Sequence, residues 1–227
     1  MLTTVIFDLD GTLTDCDLTL AKHRVSRTLS AIMGQPYEIV LPRMNHIHYI
    51  YNIEGVYDRN EWWDGFCTTL PPSEKQALTD LYWKSVMETT RIKPHAEDVL
   101  ATLKEMGMCL VLLTDFDGKS FSKQKRLDML PIMEYFDLTV IAGDDTQEVK
   151  PSLEPFQYIL TQLQIDPSQA LMIGDKPSVD LSGADSMGMH TLLLVGDYGD
   201  EWKNSIHDLR EILPFVRSLQ EGMVTGT

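Results

Sequence analysis

Three cysteines in 227 residues, Cys16, Cys67 and Cys109, are too few and too widely spaced for a disulfide framework. No pair has metal-ligand spacing, so reduced thiols in a reducing compartment are expected. No apolar run approaches the roughly 20 residues that span a bilayer. The first apolar run is broken at Asp8 and no basic residue precedes it, which makes a poor secretory leader. A cytoplasmic protein is the expectation. Positive charge is also scarce: 19 Lys and Arg stand against 34 Asp and Glu, a net charge of −15. Such a chain repels phosphodiester backbones and anionic lipid, so neither nucleic acid nor a membrane is expected as a partner. Internal repeats and low-complexity tracts are missing as well.

What is present suits a folded enzyme-sized protein. The apolar fraction is 43%, enough for a proper core and too high for disorder. The negative charge is uneven. Residues 16–90 carry seven Lys and Arg against nine Asp and Glu, while the remainder carries twelve against twenty-five. An anionic partner therefore meets less repulsion in the middle segment and needs local cations elsewhere.

Short apolar runs recur at Thr3 to Phe7, Cys109 to Leu113, Leu138 to Ala142, Leu171 to Ile173 and Thr191 to Val195. Continuous runs of this length, bounded by turn residues, predict strands buried on both faces. Stretches 94–106, 119–130, 152–164 and 178–187 read as helices, with Pro94, Ser152 and Ser178 as starts and Gly107 and Gly188 as stops. The alternation predicts an α/β fold with a doubly wound parallel sheet. The first crossover is far longer than a plain connection needs. It contains helical patterns at 17–33 and 73–90, broken by Pro71-Pro72. The expected organisation is a core domain from residues 1–15 and 91–220, an inserted helical domain over 16–90, and a fraying tail over 221–227.

Asp8-Leu9-Asp10-Gly11-Thr12 directly follows the first strand. Two carboxylates at the end of a buried strand are costly unless a metal or donors compensate them. Three further pieces follow in order: Leu112-Leu113-Thr114-Asp115, then Lys150-Pro151, then Gly174-Asp175 with Asp180. The topology delivers all four to one edge of the sheet, where open α/β folds bind ligands. The reading is a hard-cation site with a nucleophile beside it.

These four ordered motifs resemble the haloacid dehalogenase superfamily of hydrolases, and within it the phosphoglycolate-phosphatase-like branch, whose helical cap is inserted after the first motif. The resemblance implies a Rossmann-like core with an α-helical cap and a Mg²⁺-dependent phosphatase acting on a small phosphorylated metabolite through an aspartyl-phosphate. It implies Asp8 as nucleophile and Asp10 as general acid and base. Thr114 and Lys150 become phosphate-binding and catalytic groups, and Gly11 the turn under the phosphate. The metal would be held by the Asp8 side chain, the Asp10 carbonyl and Asp175, with Asp180 orienting Lys150 or a metal-bound water. Dehalogenases of this superfamily lack an acid at the Asp10 position, so its presence argues for phosphoryl chemistry. A phosphomutase shares these motifs, and a non-catalytic binding protein can share the fold; both stand as alternatives. The chain is expected to act as a monomer or homodimer.

One position departs from the pattern. The family often has Asn or another neutral residue after the motif-two Thr or Ser, and this chain has Asp115. Phosphate binding there uses the backbone N–H. The added carboxylate either weakens anion binding or selects a substrate with a positive or hydroxyl-rich end. In the insert, Arg43, His46, His48, Tyr49, Arg59, Trp62 and Trp63 form a basic and aromatic group. Substrate recognition, with Arg43 as the named contact, competes there with an ordinary core bearing solvated charges.

Overall fold

The computed structural model describes residues 1–196 and 201–222, with Ile53 described by its backbone. The tail expected over 221–227 lies outside the described residues beyond Gly222. In chain order the strands are β1 (Thr4–Phe7), β2 (Thr14–Asp15), β3 (Arg91–Ile92), β4 (Cys109–Asp115), β5 (Leu138–Ala142), β6 (Ala170–Gly174), β7 (His190–Leu194) and β8 (Ser205–Ile206). The α-helices are α1 (Leu18–Met33), α2 (Tyr37–Ile53), α3 (Arg59–Asp64), α4 (Pro72–Thr89), α5 (Ala96–Glu105), α6 (Gln124–Leu127), α7 (Leu153–Leu163), α8 (Ser182–Ser186) and α9 (Ile212–Gln220).

The chain divides into two compact units. The first comprises Met1–Asp15, Ile92–Asp115 and the residues from Leu130 onward. Its sheet runs β5-β4-β1-β6-β7-β8, and every neighbouring pair is parallel. β1 is central because its side chains are apolar in both directions: Val5, Ile6 and Phe7 are all fully buried. The chain leaves β1 towards β4 and β5, then crosses to β6 on the other side. That reversal opens a crevice beyond the tips of β1 and β6. Helices cover the sheet. Phe156 and Ile159 of α7 and Ala184 of α8 join Ile6, Val111 and Met172 in one apolar core.

The second unit comprises Cys16–Arg91 and Phe116–Met129. α1 starts where the Asp17 carboxylate accepts the Leu20 N–H at 2.8 Å and stops at Gly34, which takes the left-handed conformation. α4 begins with Pro72 in its first turn, where a missing N–H costs nothing. Trp62, Trp63 and Tyr82 are fully buried at the centre of this unit.

The segment 116–129, read from sequence as part of the core domain, packs with the helical unit instead. Phe121 stacks on Trp83 with ring centroids 5.2 Å apart. The Ser120 N–H donates to Asp58 at 3.0 Å, and Gln76 donates to the Ser120 carbonyl at 3.0 Å. These ties hold the backbone out of helical hydrogen bonding, so the helix expected over 119–130 shrinks to α6. The helix expected over 178–187 likewise opens with one wide turn over Pro177–Leu181 before α8. The five strands expected from sequence, observed as β1, β4, β5, β6 and β7, match to within two residues at each end, whereas the two-residue strands β2 and β3 were not expected. The short edge strand β8 is too brief to leave an apolar pattern.

Candidate active site

Asp8 stands one residue past β1. Its N–H donates to the Ile173 carbonyl of β6 at 2.9 Å, which carries the pairing beyond the strand. The chain then turns tightly. The Leu9 carbonyl accepts from the N–H groups of Thr12, Leu13 and Thr14 at 3.3, 2.9 and 3.0 Å. Gly11 sits in this turn at φ +92°, a conformation that L side chains rarely adopt. A Cβ there would also run into the Asp175 carboxylate. Glycine thus lets the turn and the tip of β6 approach closely.

Three carboxylates converge in this place. Oxygen atoms of Asp8, Asp175 and Asp180 lie within 4.8 Å of one another, and all three residues are buried. Lys150 reaches in from the loop after β5. Its Nζ donates to Asp8 Oδ1 at 2.6 Å and to Asp180 Oδ1 at 2.7 Å. The other Asp180 oxygen accepts the Lys176 N–H at 2.9 Å. The Thr12 hydroxyl lies 3.3 Å from Asp8 Oδ2 and 3.4 Å from Asp175 Oδ1. It carries one proton, so it serves one carboxylate at a time.

The charges do not balance. One buried ammonium faces three buried carboxylates. Burial raises the Asp8 carboxyl above its ordinary value, against the opposing pull of Lys150. Burial, with Asp8 beside it, pushes Asp175 up to about 7. Burial alone would lower Lys150, but Asp180, Asp8 and Asp115 outweigh it and hold the ammonium well above its ordinary value. An excess of buried negative charge made of oxygen donors suits a hard divalent cation.

The structure brings Asp8, Lys150, Asp175 and Asp180 into direct contact or within a few ångströms. Asp10 is near enough that its charge contributes to raising Asp8. Thr114 is buried near the end of β4, two residues past the Leu112 position that pairs with Phe7. In a parallel sheet this puts Thr114 at the same edge as Asp8. Asp115 directs one carboxylate oxygen to the Lys150 N–H at 3.1 Å.

Arg43 belongs to the helical unit and is occupied there. Its Nη2 donates to the Gly65 carbonyl at 3.0 Å, and its guanidinium lies 5.1 Å from the Phe66 ring centre. Of the basic and aromatic group of the insert, Arg59, Trp62 and Trp63 are core, whereas His46 and Tyr49 are exposed and Arg43 and His48 half-buried. Arg59 is buried with its guanidinium 3.8 Å from the Trp62 ring centre, and Trp63 donates to Thr79 at 2.8 Å. Burial lowers His48 to about 4, so it is neutral near pH 7. Sequence reasoning gave Thr12 no task, although it stands inside the first motif. A hydroxyl four residues after Asp8 was the available signal.

Comparison with known proteins agrees with this geometry. The model of the haloacid dehalogenase-like hydrolases matches residues 2–188. The chain belongs to that family. It is 27% identical over 233 residues to the glyceraldehyde 3-phosphate phosphatase of Methanocaldococcus jannaschii, covering 97% of this chain and all of that one. It is 28% identical over 206 residues to the phosphoglycolate phosphatase of Neisseria gonorrhoeae, covering 86% and 81%. It is 30% identical over 122 residues to the ribulose-1,5-bisphosphate 5-phosphatase of Halopiger xanaduensis. That match covers 54% of this chain and about half the length of the relative. Among solved structures, a haloacid dehalogenase-type phosphatase from Thermococcus onnurineus superposes with a TM-score of 0.75 at 24% identity, over 95% of this chain and 98% of that one. Among the described residues, no helix is long and apolar enough to cross a membrane.

Proposed function

We propose that this chain is a Mg²⁺-dependent phosphatase of small phosphorylated metabolites that works through an aspartyl-phosphate on Asp8. The observation that carries the reading is the buried Asp8 carboxylate, paired with Lys150 at 2.6 Å and crowded by Asp175 and Asp180. The phosphatase names of its relatives support the substrate class. The net charge of −15 argues against nucleic acid as a partner, and three cysteines that form no disulfide suit a reducing cytoplasm.

In this reading an Asp8 oxygen attacks phosphorus. The ester P–O bond breaks, and Asp10 gives its proton to the departing alkoxide. The now anionic Asp10 takes a proton from water, whose oxygen attacks the acyl phosphate. Phosphate leaves and the Asp8 carboxylate returns. A carboxylate needs no base to become nucleophilic at neutral pH. Its obstacle is repulsion, roughly 4 kcal/mol for two unit charges 4 Å apart at an effective dielectric near 20. Lys150 offsets part of this with a fixed positive charge, and the Thr114 hydroxyl and the Asp115 N–H bind phosphate oxygens. Asp8, Asp175 and the Asp10 carbonyl would hold Mg²⁺, with Asp180 beside them fastening Lys150. When bound, the ion supplies charge neutralisation and orientation for in-line transfer. Residues 16–90 serve as the family's inserted cap.

Phosphate release from a broad panel of phosphorylated metabolites tests the proposal. Wild-type protein with Mg²⁺ is expected to release phosphate from one or more members. Asp8→Asn, folded as judged by its melting curve, is expected to lose turnover. Full activity in Asp8→Asn, or isomerised substrate without net phosphate, contradicts the reading.

A further inference from the structure

The side chain of Asp115 reaches the backbone of the loop that carries Lys150. Asp115 is the last residue of β4, beside Ala142 at the end of β5. From β5 the chain runs through the loop 143–150 to Lys150. Much of this loop is fastened by its own neighbours. Asp145 accepts the Ile141 N–H at 2.7 Å, and the Thr146 hydroxyl donates to the Glu148 carbonyl at 2.7 Å. Glu154, in the first turn of α7, accepts the N–H groups of Gln147 and Glu148 at 3.3 and 2.7 Å. Lys150 itself is tied from a different direction. Its N–H donates to Asp115 Oδ1 at 3.1 Å, a bond between residues 35 apart in sequence.

We propose that Asp115 is a positioning residue, whose carboxylate clamps the Lys150 backbone to the tip of β4 so that the ammonium meets Asp8 and Asp180 together. The clamp matters because both ammonium contacts are short, at 2.6 and 2.7 Å. A long, flexible side chain holds two such contacts only when its Cα is fixed. A backbone shift of about 1 Å weakens hydrogen bonds steeply and displaces a charge from its transition-state position. Neither role left open by the sequence, repelling anions or selecting the far end of a substrate, requires this bond. An amide at residue 115 also offers an acceptor oxygen, so the clamp depends on reach and geometry more than on charge.

The catalytic consequence rests on the phosphatase reading given above; the clamp itself does not. Two measurements separate them. Amide hydrogen exchange over residues 147–152 reads the clamp without any substrate. Asp115→Ala is expected to speed exchange at Lys150 by about tenfold or more, with Asp115→Asn close to wild type. Unchanged exchange in Asp115→Ala removes the clamp. Steady-state hydrolysis of p-nitrophenyl phosphate with Mg²⁺ reads the consequence. Asp115→Ala is expected to lower kcat about tenfold or more with KM little changed, and Asp115→Asn to recover most of that loss. In a Lys150→Met background, adding Asp115→Ala is expected to change kcat less than about twofold, because the lysine it served is gone. A full additional loss in that background overturns the proposal, as does a KM effect with kcat unchanged. Asp115→Ser, whose hydroxyl is too short to reach Lys150, replaces Asp115→Ala should the latter not fold. A wild-type protein without activity on any phosphomonoester sinks the phosphatase reading while the exchange measurement still decides the clamp.

Discussion

The Lys150 ammonium lies 2.6 Å from the Asp8 carboxylate, and both groups are almost wholly removed from water. The same ammonium lies 2.7 Å from Asp180. This single cation thus joins the tip of β1 to the segment after β6. Its removal leaves two carboxylates buried with one partner fewer. Breaking a buried pair in this way costs about 3–5 kcal/mol. Lys150→Met is therefore expected to lower stability by that order in metal-free buffer, read by urea unfolding. Mg²⁺ is expected to restore part of the loss. A variant as stable as wild type without metal contradicts the electrostatic reading of the site.

Asp175 offers a pH dependence with a definite sign. Its carboxyl is pushed up to about 7 by burial and by Asp8. A divalent ion binds the ionised form, so below pH 7 it competes with a proton. Mg²⁺ affinity is expected to fall about tenfold from pH 8 to pH 6 by this one group, measured by calorimetric titration. Folding without metal responds in the opposite direction. The folded state holds the proton more tightly than the unfolded chain, so this contribution is full below about pH 4 and is lost as pH rises through 7. Metal affinity that is flat between pH 6 and pH 8 contradicts this assignment.

Gly11 is constrained twice, by φ +92° and by the Asp175 carboxylate where a Cβ would go. Gly11→Ala is expected to destabilise by about 1–3 kcal/mol from backbone strain and to weaken metal binding by displacing Asp175. Melting curves with and without Mg²⁺ separate the two effects. An alanine variant with wild-type melting and metal affinity shows that the close approach is dispensable.

Much of this was legible in the residues. Val5-Ile6-Phe7 and Leu171-Met172-Ile173 announce strands because a sheet covered on both faces admits apolar side chains in both directions. The motifs at Asp8, Thr114 and Asp175 fall at strand ends or just beyond, and Lys150 closes the loop that follows β5, so chain order assigns them to one edge. The destination of Phe116–Met129 was not legible. Its helical composition is overridden by tertiary bonds from Asp58 and Gln76, which lie some 40 to 60 residues away. The side-chain task of Asp115 was hidden for the same reason, since its partner is a backbone N–H 35 residues distant. Thr12 was within reach, because its distance from Asp8 is fixed by a local turn.

Acid-quench trapping examines the chemistry at Asp8 itself. Protein mixed with a turned-over phosphomonoester and Mg²⁺, quenched within one turnover and digested, should carry a hydroxylamine-sensitive phosphoryl group on Asp8. Asp8→Asn should carry none. Steady turnover with no phosphoryl group on Asp8, or with the group on another residue, contradicts the mechanism.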